Sequence, residues 1–399
     1  MLQSRLSVAR HPSGIRLIPI RSRAKPLESR ICAPCVFALR LIEYPMPTGS
    51  RDADVLLTWI LDSMGLIGRK SYQWSGDEQQ GALHRIVRGA LLVDPLRGWD
   101  TRDLGDASGL SHTGTHHQMT KLRSCGLVST EVDGKWHVHV LRGGSMSAAV
   151  GLVSVQARAT LELRVSELAG LVQPSDTRMG VQAEEEEVSF AISIAEPGAR
   201  REGHDAIDAL VADLGLNGER SRDDDRLVRD LLCELASSER PMTILALAER
   251  FSESRSRAQR AVERMRSAAL VERVPMVDRI SQDVYAGLMR QHSGRGEEWL
   301  MSRGGLGRLD ESVSKALLAG AKKGSLNTEK VQSILAPVPI EDQRILLNTL
   351  GGRMPFGIRV AGADGAHVAE RVMRQADRAL RRLRTVAQRL DEALPEQTS

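Results

Sequence analysis

The spacing of apolar residues along this chain predicts a mainly helical protein with a few short strands. Apolar positions three and four residues apart indicate amphipathic helices over residues 53–65 and 80–92. Residues 152–172 fit both a helical face and strand-like alternation, but a strand of that length would exceed the usual ~5–6 residues. We therefore predict a helix there. Alternation from Val188 to Ile194 indicates one edge strand.

The most informative stretch runs from Gly109 to Leu141. A short helix ends at the glycine, a second helix begins after Ser111 or Thr113 as its N-cap, and two alternating runs flank Asp133-Gly134. An Asp-Gly pair is a strong signal for a two-residue hairpin turn. The predicted order is helix, tight turn, helix and β-hairpin. The buried side of the second helix is marked by its apolar residues: Leu110, Met119 and Leu122.

A similar pattern recurs between residues 225 and 285. Met265 and residues 269–271 match Leu122 and residues 126–128 at an offset of 143 positions. The second copy has two more residues between Phe251 and Met265 than the first has between Leu110 and Leu122. The chain therefore contains two copies of one helical unit, and the second copy is the looser match.

This arrangement resembles the winged helix-turn-helix regulators of the MarR-like and ArsR-like groups. Their recognition helix has the pattern Leu-Ser-x-x-Thr, followed by Leu-x-x-x-Gly-Leu-Val. The matching residues here are Leu110, Ser111, Thr115, Leu122, Gly126, Leu127 and Val128. The resemblance covers residues 80–141 well and 225–285 loosely. It implies tandem winged helix domains with DNA-binding recognition helices, although such domains also serve as protein-interaction modules in chromosome-segregation and transcription assemblies.

These patterns predict a mainly α fold with small β-wings, in which tandem winged helix domains are followed by a C-terminal coiled-coil tail. The predicted segments are a basic, disordered extension (1–50), a first winged helix domain (51–178), a strand and charged linker (179–222), a second winged helix domain (223–292), a small helical region (293–365) and a C-terminal amphipathic helix (366–399).

The C-terminal helix has apolar residues spaced alternately four and three apart, which is typical of a coiled-coil seam. The seam residues are Val372, Ala376, Ala379, Leu383, Val386 and Leu390. A helix of this length is marginal alone in water, so it needs a packing partner. We predict a homodimer through this seam, which would place two sets of winged helices side by side on a palindromic site. The alternative is that the helix folds back onto its own chain.

The charge of the chain is unevenly distributed. The formal net charge is +4, but residues 1–45 contain eight Arg and Lys and only two acids, so the remaining residues carry a small negative charge. DNA affinity must therefore come from a local basic face. Aromatic residues make up only 3% of the chain, which weighs against single-strand binding by base stacking.

Polar faces on the two predicted recognition helices are the candidate DNA-binding site. The residues expected to contact double-stranded DNA are Thr115, Gln118, Lys121 and Arg123 in the first helix, Lys135 at the hairpin tip, and Arg255, Arg257, Arg260 and Arg264 in the second helix. The alternative is a pair of solvated faces with internal Arg–Glu pairs. The predicted function is sequence-specific DNA binding in transcription regulation, with an architectural or scaffold protein as the alternative.

Other classes of function find little support in the sequence. The chain lacks a phosphate loop, a Gly-x-Ser-x-Gly elbow and a His-Glu-x-x-His motif, so we predict neither an enzyme nor a cofactor. The histidines at 112, 116, 117, 137 and 139 with Cys125 do not complete a tetrahedral set, and Cys32 with Cys35 is half a zinc site, so no metal is predicted. The cysteine usage and the absence of a long apolar run predict a cytoplasmic protein that does not bind membranes.

Overall fold

The computed structural model describes residues 36–67, 81–133, 136–179, 183, 188–199, 205–218 and 226–394. The protein is mainly helical with a few small antiparallel sheets, which confirms this part of the prediction. The helices are α1 (Ala53–Ser63), α2 (Ala82–Ile86, continuing as a π-helical turn, Val87–Leu91), α3 (Thr101–Ser108), α4 (His112–Ser124), α5 (Met146–Ala169), α6 (Ala206–Asp213), α7 (Leu227–Ser237), α8 (Ile244–Arg250), α9 (Arg255–Ser267), α10 (Val277–Ser302), α11 (Glu311–Lys322), α12 (Thr328–Leu335), α13 (Ile340–Thr349) and α14 (Gly365–Ala393).

The strands of the described residues pair into three two-stranded antiparallel sheets: β1 (Ala38–Ile42) with β4 (Ala191–Ala195), β2 (Val128–Asp133) with β3 (Trp136–Leu141), and β5 (Val271–Pro275) with β6 (Phe356–Val360). The helix predicted over 152–172 is confirmed by α5. The edge strand predicted over 188–194 is confirmed by β4.

One order of elements occurs twice along the chain. The first repeat consists of α2, one bridging residue, α3, α4, β2, β3 and α5, and the second of α7, one bridging residue, α8, α9, β5, β6 and α14. In each repeat the bridging residue pairs with the last strand, Trp99 with His139 and Met242 with Ile358. The two repeats therefore share connectivity as well as element order.

Helix caps set the register between the two repeats. Asp100 and Thr243 are the N-caps of α3 and α8, and each side chain accepts a backbone N–H of the first turn. Ser111 and Ser254 do the same for α4 and α9. Both pairs lie at the offset of 143 positions that the sequence indicated. Short hydroxyl and carboxylate side chains suit this place because they satisfy otherwise unpaired N–H groups of the first turn.

Two left-handed backbone positions follow the same offset. Gly109 and Gly126 have φ of +64° and +79°, and their counterparts Ser252 and Ala269 have φ of +55° and +61°. Ser252 and Ala269 are the only non-glycine residues with positive φ among those described. The caps and the left-handed residues align without a gap. The prediction of two additional residues in the second copy was therefore wrong. The helix ends, rather than apolar matches such as Phe251, define the equivalence.

The second repeat differs from the first between its two strands. β5 ends at Pro275, β6 begins at Phe356, and helices α10 to α13 lie between them with a separate hydrophobic core. The predicted boundary at 292/293 falls inside α10, and β6 belongs to the second repeat rather than to a small helical region. A helical insertion thus lies where the first repeat has only residues 134 and 135 between its two strands.

The long helices α5 and α14 pack against each other in antiparallel orientation. At one end, Asp391 of α14 accepts the backbone N–H groups of Met146 and Ser147 at 3.1 and 2.8 Å. Further along, Arg158 Nε donates to Asp377 Oδ1 at 3.1 Å. All six residues of the C-terminal seam are buried. The predicted homodimer through this seam is therefore corrected, because the seam packs within its own chain.

The sheet formed by β1 and β4 lies against both repeats. Phe37, Leu39 and Leu41 are buried in the main core, and β1 pairs with the buried strand β4. The buried Glu43 forms ion pairs of 2.6 Å with both Arg378 and Arg382 of α14. Residues 36–50 are consequently part of the fold, and the disordered extension predicted there was wrong; residues 1–35 lie outside the described part.

The predicted linker also contains regular structure. α6 lies within residues 179–222, and its Leu210 and Val211 are buried in the main core. Arg164 of α5 pairs with Asp213 at the end of α6. The segment that was expected to separate the repeats therefore packs against them. The acidic run at 223–225 lies outside the described residues.

Candidate nucleic-acid interface

The helices α3 and α4 form a tight helix–turn–helix in the first repeat. Gly109 ends α3 in the left-handed conformation, and Ser111 caps α4. A Cβ on Gly105 would lie 3.1 Å from the carbonyl oxygen of Leu110 and 3.3 Å from Thr115 Oγ1. The absence of a side chain at Gly105 thus lets α4 approach α3 closely. This packing fixes which side of α4 faces the core.

The burial pattern defines an outward face on α4. Thr115, Met119 and Leu122 are buried and hold the helix against the core. The exposed side chains are His112, Thr113, His116, His117 and Thr120. All five have hydrogen-bonding groups, so this face can contact base edges or phosphates.

The outward face of α9 occupies the same positions. Ala258, Val262 and Met265 are buried where α4 has Thr115, Met119 and Leu122. The exposed side chains are Arg255, Ser256, Gln259, Arg260 and Glu263. We call the two sets the α4 face and the α9 face. The two faces occupy equivalent positions, but their side chains differ: the α4 face carries histidine and threonine, and the α9 face carries mainly charged side chains.

The expected contact residues of α4 do not all lie on its outward face. Thr115 is fully buried, and its hydroxyl donates to the carbonyl oxygen of Ser111 at 3.1 Å. The prediction that Thr115 contacts DNA was therefore wrong, because the tight helix–turn–helix encloses the side chain. Gln118, Lys121 and Arg123 are half-buried and do not belong to the α4 face, and the residue of α9 that is equivalent to Gln118 is the buried Ala261.

A cleft of about 470 Å³ lies between α4 and the β1–β4 sheet. Its charged lining residues include Arg40 of β1, Lys121 of α4 and Asp213 of α6. Asp213 is already paired with Arg164. His117 and Thr120 line the cleft together with Lys121, so the cleft borders part of the α4 face.

The four arginines predicted in the second helix divide into two groups. Arg255 and Arg260 are exposed, and neither forms an ion pair with the part of the chain that the structure describes. Arg257 is half-buried and pairs with Glu253, and Arg264 Nε donates to the carbonyl oxygen of Leu216. Arg257 and Arg264 thus have partners within the chain. For this part of the helix, the structure agrees with the alternative of a solvated face with internal pairs.

The β2–β3 hairpin presents one exposed aromatic residue and one buried histidine. Lys135, the expected phosphate contact at the tip, lies outside the described residues. Trp136 beside it is 70% exposed. His139 is buried, and its Nδ1 lies 2.8 Å from Thr130 Oγ1.

The environment of His139 keeps its ring neutral. Burial lowers the pKa of His139 to about 4, and the nearby positive charge of Arg123 acts in the same direction. A neutral imidazole at physiological pH adds no charge to the interface. His139 is therefore a structural residue of the hairpin.

The histidines of α4 and of the hairpin, together with Cys125, are the residues that were considered as metal ligands. Among the described residues, no group of three or more His, Cys, Asp or Glu side chains is arranged to hold a metal ion. Cys125 is buried, and burial raises the pKa of its thiol to about 12. Cys32 and Cys35 lie outside the described residues.

Comparison of the chain with protein-family models, with curated proteins and with solved structures found no match. Over the described residues, no helix has both the length and the apolar character needed to cross a membrane. The geometry of the two helical faces is therefore the observation on which a function can be based.

Sequence reasoning missed part of both faces. His112, His116 and His117 were considered as metal ligands and not chosen as DNA contacts, and Gln259 was not considered. The available signal was the N-cap at Ser111 and its equivalent at Ser254, because counting helical turns from these caps separates buried from exposed positions.

Proposed function

We propose that this protein binds double-stranded DNA sequence-specifically through α4 and α9 and acts as a transcription regulator. On this proposal the two repeats are tandem winged helix units like those of the MarR-like and ArsR-like regulators. The recognition helix of such units enters the major groove, while neighbouring groups contact the backbone. The protein would act on DNA in the cytoplasm.

The observation that carries the proposal is the positional agreement of the α4 face and the α9 face. Each is the outward side of the second helix of a helix–turn–helix, and each is exposed at the same five positions. A helix face kept free of apolar residues in both repeats suits an aqueous or nucleic-acid partner. Arg255 and Arg260 add two exposed guanidinium groups, which suit phosphate or guanine.

The remaining predicted residues have secondary roles in this proposal. Lys121 and Arg123 are half-buried beside the α4 face and would contact the DNA backbone, as would Lys135, whereas Gln118 lies towards the core side of α4 and would contribute little. Arg257 and Arg264 have internal partners and must exchange them to bind phosphate. We therefore expect them to contribute less than Arg255 and Arg260.

The decisive experiment compares two double variants in a fluorescence anisotropy titration with enriched genomic duplexes at two salt concentrations. Arg255→Ala/Arg260→Ala should weaken binding and reduce the slope of log affinity against log salt by about 0.9 for each phosphate that is no longer neutralised. The matched control is Arg374→Ala/Arg384→Ala, which removes two exposed arginines of α14. Equal binding by both variants, or no duplex binding by the intact protein at low salt, would contradict the proposal.

A second candidate function is that of an architectural or scaffold protein. The observation that favours it is an exposed apolar stripe on α5, formed by Leu152, Val155 and Leu163, which are 45%, 70% and 48% exposed. Contiguous exposed apolar side chains of this kind are typical of protein contacts. Failure of duplex binding by a correctly folded protein would favour this second function.

A further inference from the structure

We infer that a single chain recognises one DNA site composed of two half-sites with different sequences. This inference rests on the proposed function and specifies its substrate. It contains two claims that can be separated by experiment. One chain covers both half-sites, and α4 and α9 prefer different bases.

The first claim follows from how α5 and α14 join the repeats. Ser145 and Asp364 are the N-caps of these two helices, and each follows the last strand of its repeat after a few residues. The helices then run antiparallel, with Asp391 at the start of α5 and Gly365 packed so closely on Ala169 that a Cβ would collide with its backbone. Equivalent helices of the two repeats therefore pack in opposite directions, as in a two-fold dimer.

This pairing places two recognition helices within one chain, whereas a dimeric helix-turn-helix protein obtains one from each of its two chains. A symmetric dimer presents two recognition helices to half-sites about one helical turn apart. Here the buried α14 seam is already covered by α5, so a second copy is not needed to bring two such helices together. The expected stoichiometry is one chain for each duplex site.

The second claim follows from the side chains on the two faces. At equivalent positions, His112 corresponds to Arg255, His116 to Gln259, and His117 to Arg260. Arginine pairs bidentately with guanine, and glutamine pairs with adenine, whereas histidine forms neither of these paired contacts. Two identical half-sites would therefore satisfy one face and not the other. A homodimer has no such asymmetry, because its two helices are identical.

The experiment begins with selection of duplexes from a randomised library by the full-length chain, followed by sedimentation of the selected complex. We expect a non-palindromic consensus with two separate conserved blocks and a 1:1 complex. A palindromic consensus, a single conserved block or a complex of two chains per site would overturn the inference while leaving DNA binding intact. Absence of any selected duplex would instead overturn the proposed function, and the inference with it.

Two variants then assign the blocks to the helices. Gln259→Ala/Arg260→Ala should relax base preference in one block and weaken binding by about 5- to 150-fold. His116→Ala/His117→Ala should relax preference only in the other block. All four residues are exposed, so the fold should persist, and circular dichroism checks this. Relaxation of the same block by both variants, or equal weakening by Arg374→Ala/Arg384→Ala, would overturn the assignment.

Discussion

Gly126 and Ala269 occupy the same position in the two repeats and share a left-handed backbone, with φ of +79° and +61°. The position follows α4 in the first repeat and α9 in the second, and it turns the chain into the next strand. Glycine adopts this conformation without steric cost, whereas an L-residue is strained by roughly 1 kcal/mol. The second repeat thus retains a turn that its sequence does not favour.

Substitution at this pair of positions should have opposite effects in the two repeats. We expect Ala269→Gly to raise the free energy of unfolding by about 0.5–1 kcal/mol, because it relieves the left-handed strain. Gly126→Ala should lower it by more, because the new Cβ would also lie 2.9 Å from Arg142 Nη1. Urea denaturation of both variants measures this difference. Destabilisation by Ala269→Gly would show that the strain is not the dominant effect.

The low pKa of His139 predicts a loss of stability in mild acid. Its folded-state pKa of about 4 lies below the ordinary value of 6.5, so the unfolded chain binds the proton more readily. The free energy of unfolding is therefore unaffected by the protonation of this residue above pH 6.5. It falls by about 3 kcal/mol as the pH drops from 6.5 towards 4.

The matched variant is His139→Ile, because Ile358 holds the equivalent bridge position in the second repeat. Thermal melting between pH 7 and 4 should show a shallower pH dependence for this variant than for the unsubstituted protein. Parallel pH profiles would mean that His139 is not protonated on unfolding in this range.

Asp391 should contribute to stability as a cap for the neighbouring helix. Its carboxylate accepts two backbone N–H groups at the start of α5, where the helix dipole also favours negative charge. We expect Asp391→Ala to cost about 1–2 kcal/mol. The control Asp377→Ala removes an exposed ion pair with Arg158 and should cost less, since exposed pairs contribute about 0–1 kcal/mol. Equal destabilisation by the two variants in urea would contradict the capping role.

Removal of α14 should change the association state of the protein. A chain ending at Asp364 would expose the apolar side of α5, including Val153 and Ala157, which are fully buried in the intact protein. We expect this shortened chain to self-associate or unfold. The intact chain should not dimerise through α14. Sedimentation of both proteins tests this, and disappearance of an existing dimer on shortening would restore the homodimer prediction.

Thr115 should matter for stability and not for DNA recognition. The second repeat has Ala258 at the equivalent buried position, so Thr115→Ala is compatible with the packing. We expect a destabilisation of about 1 kcal/mol from the missing hydrogen bond to Ser111, with unchanged duplex affinity in the anisotropy titration. A weaker duplex affinity in a stable Thr115→Ala protein would mean that the hydroxyl reaches the DNA.

Local pattern was sufficient to predict most helices and strands. The N-cap serine and the glycines at the helix ends act through backbone geometry over a few residues, so the helix–turn–helix around α4 was correctly predicted. The hairpin was also predicted, but Asp133, expected in its turn, pairs with Trp136 as the last residue of β2. The spacing of the C-terminal seam also identified the buried side of α14 correctly. Each of these signals depends only on neighbouring residues in the chain.

The tertiary structure decided what each apolar face packs against and which polar side chains remain exposed. The seam of α14 specifies an apolar partner but not whether that partner is α5 or a second copy, because both would bury the same surface. β1 was missed because a five-residue strand becomes stable only when paired with β4, which is distant in the sequence. Thr115 and Arg264 were polar residues on a helix, and only the close packing of Thr115 on Gly105 and the hydrogen bond of Arg264 to Leu216 removed them from the exposed face.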